Sequence, residues 1–164
     1  TTKHVIIAIT ILLYQDRYLF LRRSKAPYEG LWSMVGGKVE IGEHIRDAAI
    51  REVMEETRAT SVQDYRPCGF VSERLVNLDG ELEAHFHIFL GSARIDDFKP
   101  NNREGELRLF TADYLVQHKK EFLPSDWHMF MSYISNPDYI GMYEAELIQA
   151  GHVYTLAYYR EVKH

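Results

Sequence analysis

Glu52, Glu55 and Glu56 sit at i, i+3 and i+4 in a stretch from Arg46 to Arg58 that contains no proline or glycine and reads as helix. Their carboxylates crowd one helix face, where like charges repel and weaken the helix. A divalent cation between them removes that penalty. Oxygen-only ligation favours Mg²⁺ or Mn²⁺ over zinc. Such a centre can bridge phosphate oxygens and activate water for attack at phosphorus. Charge runs are more often plain solvated faces, so the surrounding spacing has to decide.

That spacing is Gly37-x5-Glu43-x7-Arg51-Glu52-Val53-x-Glu55-Glu56. Six fixed residues, each present at roughly one in fifteen to twenty, would match a given start about once in ten million tries. Gly37 through Ala59 resembles the box of the Nudix hydrolase family, without a gap. The resemblance implies an α/β fold, the Nudix α/β/α sandwich with a mixed sheet between helices, over a single domain spanning 1–164. It also implies metal carried by Glu52, Glu55 and Glu56, with one of them orienting or deprotonating water. Arg51 either holds a glutamate in its ligand rotamer or contacts phosphate, and the family pattern favours the first. Glu43 can reach the same cluster, and Gly37 can offer a carbonyl ligand. The family's late glycine is Arg58 here. A non-glycine there is expected to shift how the helix ends, at about 1 kcal/mol.

Outside the box, Leu31 to Glu40 looks like the approach to the box in MutT-type nucleoside triphosphate pyrophosphohydrolases. The tail, from Tyr139 to Tyr143 and from Tyr158 to Val162, is similar to the closing hairpin of the animal branch that removes oxidised purine nucleoside triphosphates. By that likeness the activity is hydrolysis of a nucleoside triphosphate, ordinary or oxidised, to monophosphate and pyrophosphate, a nucleotide-pool sanitation chemistry. Ser33, Leu123 and Asp126 then fall in the base pocket. Ser33 replaces an asparagine, Leu123 a stacking tryptophan and Ser125 one of two acidic base readers. Asp126 remains to accept from an amino or imino group. These changes are expected to alter which base is read. Lys38 and Arg23, or Arg22, are candidates to meet phosphates. Glu104 and Glu106 are candidates for a separate general base. Phe70, Phe86, Trp127 and Phe130 are candidates for a stacking wall. His85 and His87 share one strand face but find no third ligand by spacing, and read as pocket-lining or core residues.

Two other readings differ in substrate or class. Hydrolysis of another nucleoside diphosphate derivative, such as ADP-ribose, a nucleotide sugar or a dinucleoside polyphosphate, is the first; Glu73 to Leu78 lacks the proline of the ADP-ribose group and the tyrosine of the dinucleoside group, which disfavours those two. A binding module without turnover is disfavoured because every box glutamate is present.

The elements that must hold these residues are legible in outline. Val5 to Leu13 and Tyr18 to Leu21 form a hairpin, Leu31 to Val35 a short strand, and Gly36-Gly37 a turn into the box. The helix near Ile45 to Thr57 is expected to bury Ala49, Ile50, Val53 and Met54. Strands near Tyr65–Val76 and Leu82–Ala93 flank Asp79-Gly80. A strand at Glu106–Phe110, a helix at Asp126–Ile134 and a final strand pair complete the pattern. A 164-residue chain with 46% hydrophobic residues can build a real core. Its net charge of −5 offers no footprint for duplex nucleic acid, so the expected partner is a small nucleotide. Val5 to Leu13 is too short to span a bilayer and no cleavage site follows. A lone Cys68 fits packing and a reducing compartment. The expected location is cytoplasmic, with no membrane contact.

Overall fold

The structure, a computed structural model, describes residues 1–102 and 105–163. Its centre is β1 (Lys3–Tyr14), a strand apolar on both sides, as strands covered on two faces must be. Ile9 and Ile11 join one core with Phe20, Trp32, Phe122 and Phe130. Leu12 joins a second core with Leu19, Val35 and Val53 on the opposite face. Around β1 assemble β2 (Arg17–Arg23), β3 (Trp32–Ser33), β4 (Val35–Lys38), β5 (Val62–Asn77), β6 (Leu82–Ile95), β7 (Asn101–Asn102), β8 (Gly105–Phe110), β9 (Gly141–Ala150) and β10 (Val153–Glu161). The sheet runs β10-β9-β5-β6-β1-β2-β8-β7, with β3 on β2 and β4 on β1. It is mixed: β1 runs parallel to β6 and antiparallel to β2 and β4.

Helix α1 (Ile45–Thr57) covers one face, and α2 (Ala112–Gln117) and α3 (Pro124–Ser135) belong to the other. The α/β sandwich anticipated from the box is therefore the observed architecture. Pro124 opens α3 where a missing N–H costs nothing. Thr111 caps α2 by accepting from the Tyr114 N–H at 3.2 Å.

Three local expectations change. Gly36 and Gly37 lie inside β4, paired with Ile9 and Ala8, rather than in a turn. A Cβ on Gly36 would stand 2.3 Å from the Ala8 carbonyl oxygen, so the glycine permits a close strand approach. Helix α1 buries Ala48, Ala49 and Val53, while Ile50 is only half-buried and Met54 is 41% exposed. Ala48 and Ala49 pack with Ala8 in one buried cluster, which takes the buried face of the helix away from Met54. Finally, Arg58 does not shift the helix end. It adopts the left-handed conformation itself, at φ 57° and ψ 28°, and its N–H donates to the Met54 carbonyl at 2.9 Å.

Candidate functional site

Three of the box carboxylates, Glu43, Glu52 and Glu55, gather around Arg51. Its Nε and Nη2 donate to the two oxygens of Glu43 at 2.8 and 2.9 Å, a bidentate fork. Nη1 donates to Glu52 at 3.0 Å and to Glu55 at 3.3 Å. Nη2 also reaches the Lys38 carbonyl at 3.1 Å, tying the helix to β4. The Arg51 fork and the Glu40 N–H hold the Glu43 carboxyl down to about 2. The same contacts push Arg51 upward, with the Glu43 hydrogen bonds the largest cause. Arg51 is thereby occupied by protein groups, and Glu43 acts on the cluster through it.

Glu52 packs against the backbone of Gly37, where a Cβ would lie 2.4 Å from Glu52 Cδ. Glu55 is exposed and Glu56 is buried, so the helix presents acids from solvent inward. Oxygen donors on one helix face, a glycine cradle and a guanidinium that holds the carboxylates form a donor set suited to Mg²⁺ or Mn²⁺. Glu52, Glu55, Glu56 and the Gly37 carbonyl are the groups that could hold such an ion.

On the other side of β4 lies a cavity of about 540 Å³. Gly36, Gly37 and Lys38 line it at one end, Ile7 and Phe86 along the sheet, and Asp126 within. Gly37 therefore belongs to both halves, touching Glu52 on one side and the cavity on the other. Arg23, Ser33 and Leu123 also line the cavity. The Arg23 Nε donates to the Pro27 carbonyl at 2.9 Å, and the Ser33 hydroxyl faces the Leu21 carbonyl at a long 3.4 Å. Leu123 is anchored through its N–H to the Trp32 carbonyl at 2.9 Å. Among the aromatic candidates, Phe86 lines this cavity. Phe130 lies in the core, Phe70 stacks on His87, and the Trp127 indole donates to the Leu115 carbonyl at 2.7 Å.

Asp126 is buried and accepts from the Met34 N–H at 2.9 Å. Beside it stands a residue that spacing did not single out. Glu73 on β5 is also buried, lines the cavity and accepts from the Tyr28 hydroxyl at 3.2 Å. Burial raises both carboxyls well above the usual range, and the Glu73 charge raises Asp126 further. Val71, Glu73 and Leu75 share one buried strand face, and an acid in such a row is the signal that could have found it.

The structure does not bring Glu106 to the box. It pairs with Arg22 at 2.8 Å and Arg108 at 2.9 Å, and both guanidiniums lie over Trp32. Leu107 faces the core beneath α1, so strand alternation turns Glu106 to the opposite face. Glu104 lies outside the described residues. His85 and His87 are not pocket-lining. Ala84, Phe86 and Ile88 face the cavity, leaving both histidines on the other side of β6.

Residues 3–133 match the NUDIX domain. The chain belongs to the NUDIX domain family. A mutator MutT protein from Bacillus halodurans shares the NUDIX fold with a TM-score of 0.75 and 22% identity, over 96% of this chain and 97% of that one. The NUDIX domain of Shewanella oneidensis NrtR, in a cocrystal with ADP ribose, superposes with a TM-score of 0.64 and 12% identity, over 84% of this chain and 89% of that one. An ADP-ribose pyrophosphatase from Methanocaldococcus jannaschii is 34% identical over 55 residues, which is 33% of this chain and 32% of that protein. The NUDIX chain thus spans about a third of the length of that curated relative. Among the described residues, no helix is long and apolar enough to cross a membrane.

Proposed function

We propose that this NUDIX chain is a hydrolase of a nucleoside triphosphate, cleaving between the α and β phosphorus atoms to give monophosphate and pyrophosphate. The observation that carries this reading is the continuity at Gly37. One cavity of nucleoside dimensions is lined both by the strand that cradles Glu52 and by the buried Glu73–Asp126 pair.

Mg²⁺ or Mn²⁺ held by Glu52, Glu55, Glu56 and the Gly37 carbonyl would neutralise phosphate charge and lower the pKa of a bound water. Arg51 and Glu43 keep Glu52 and Glu55 in place for that task. Lys38 and Arg23, at the cavity wall, offer positive charge to the phosphates. Asp126 and Glu73 read the base. With both pKa values raised, the pair keeps proton-donating and proton-accepting oxygens together, which suits a base edge carrying both kinds of group. Ser33 and Leu123 shape the pocket around that edge.

ADP-ribose hydrolysis is the second reading, favoured by the 34% identity to the Methanocaldococcus enzyme. Incubation with Mg²⁺ and a panel of ordinary and oxidised nucleoside triphosphates, ADP-ribose and dinucleoside polyphosphates, followed by chromatography of products, separates the two. Monophosphate and pyrophosphate from one triphosphate are expected. Turnover of ADP-ribose with silence from every triphosphate would sink the triphosphate reading.

A further inference from the structure

His85 and His87 acquire a third partner that spacing along β6 could not supply. Parallel pairing places His4 of β1 directly beside His85. Alternation keeps His87 on the same face, turned away from the cavity lined by Val5, Ile7, Phe86 and Ile88. One ligand nitrogen from each of the three rings lies within 4.8 Å of the others. His4 Nε2 and His87 Nε2 are 2.7 Å apart. Ring centroids are separated by 4.4 Å for His85–His87, 4.8 Å for His4–His87 and 5.5 Å for His4–His85.

Simple core packing does not account for the group. His4 is exposed and the other two are half-buried, so each ring could reach water. Ser72 Oγ holds His85 Nε2 at 2.9 Å, and Phe70 stacks on His87, so two of the rings are already oriented. The cation beside His85, Arg74, is paired with Glu146 at 3.4 Å.

We propose that His4, His85 and His87 form a transition-metal site that takes Zn²⁺ through three imidazole nitrogens, with a fourth position open to solvent. An all-nitrogen set selects against Mg²⁺, whereas the glutamates of α1 favour it. The two sites are therefore chemically distinct. They are also separate in space, since α1 packs on Ala8, four residues along β1 from His4. Two imidazole nitrogens on one tetrahedral Zn²⁺ at 2.0–2.1 Å stand about 3.3 Å apart. The His4–His87 contact has to open by only roughly 0.6 Å, and His4 sits on an exposed strand start that can give that much. Bound Zn²⁺ would clamp the beginning of β1 to β6.

The test is calorimetric titration of tag-free protein with Zn²⁺ in excess Mg²⁺, which keeps the glutamate cluster occupied. Nitrogen-15 spectra of the imidazoles and thermal melts accompany it. One Zn²⁺ per chain is expected, with shifts at all three rings and a rise in Tm. His4→Gln alone should weaken binding at least about tenfold. His4→Gln with His87→Gln should abolish it and leave the metal-free Tm close to wild type. Absence of saturable binding, or equal Zn²⁺ affinity in wild type and double variant, overturns the proposal. The second result would place the ion elsewhere on the chain.

Discussion

Gly37 and Glu52 touch so closely that a methyl group on the glycine would fall 2.4 Å from Glu52 Cδ and 2.5 Å from Oε2. No side chain can occupy that space while the carboxylate stays where it is. Gly37→Ala is therefore expected to displace Glu52 and leave the sheet intact, since β4 is extended there and needs no left-handed glycine. The stability cost should be about 1–3 kcal/mol from local overpacking. The expected loss in kcat is at least about a hundredfold. Urea unfolding and Mg²⁺-dependent turnover measure the two effects. Unchanged turnover would remove Glu52 from the chemistry.

Arg51 distributes its donors among Glu43, Glu52, Glu55 and the Lys38 carbonyl. Lysine keeps the charge but cannot make a planar fork. Arg51→Lys should weaken apparent Mg²⁺ affinity or activity by about 10–100-fold, the usual effect of removing a group that orients metal-ligating side chains. An Mg²⁺ titration of the rate distinguishes this from direct phosphate contact. In the latter case KM for the nucleotide would rise and the Mg²⁺ dependence would stay fixed.

The box helix was legible because its information is local. Spacing alone places Glu52, Glu55 and Glu56 on one face, and α1 begins and ends where Ile45 and Thr57 predicted. Strand existence was legible for the same reason. What the sequence hid depends on parity and distant pairing. Glu106 is an acid on a strand, but its face is set by whether Leu107 points under α1. Glu73 becomes important only because β5 carries it into the cavity beside α3, where Asp126 waits. His4 joins His85 only through the parallel β1–β6 register.

Arg58 holds a left-handed backbone where the family box has glycine. A residue with a Cβ is strained there, and glycine relieves that strain. Arg58→Gly should stabilise the chain by about 1 kcal/mol, less the entropy that glycine adds to the unfolded state. The denaturant midpoint should rise without a change in m-value, and turnover should stay level. A lower midpoint would mean that the Arg58 side chain makes contacts outweighing its backbone strain.

The buried pair gives the protein a defined pH dependence. Burial raises Glu73 from 4.5 to about 7 and, with the Glu73 charge, Asp126 from 3.8 to about 7. In the unfolded chain both titrate near about 4. Between those values the folded form binds more protons than the unfolded form, so stability falls as pH rises from about 4 through about 7. Glu73→Gln keeps a group that Tyr28 can donate to and removes the charge that must be buried. At pH 8 the variant should exceed wild type by on the order of 1–3 kcal/mol, whereas at pH 4 the two should nearly coincide. Urea unfolding across that range tests it. A parallel pH slope in both proteins would show that the pair does not titrate. Activity should move the other way: Asp126→Asn and Glu73→Gln each remove an oxygen or a proton from the base-reading edge, so KM for the preferred triphosphate should rise about 10–100-fold. Hydrolysis of a base-free triphosphate, which never touches that edge, should be unaffected.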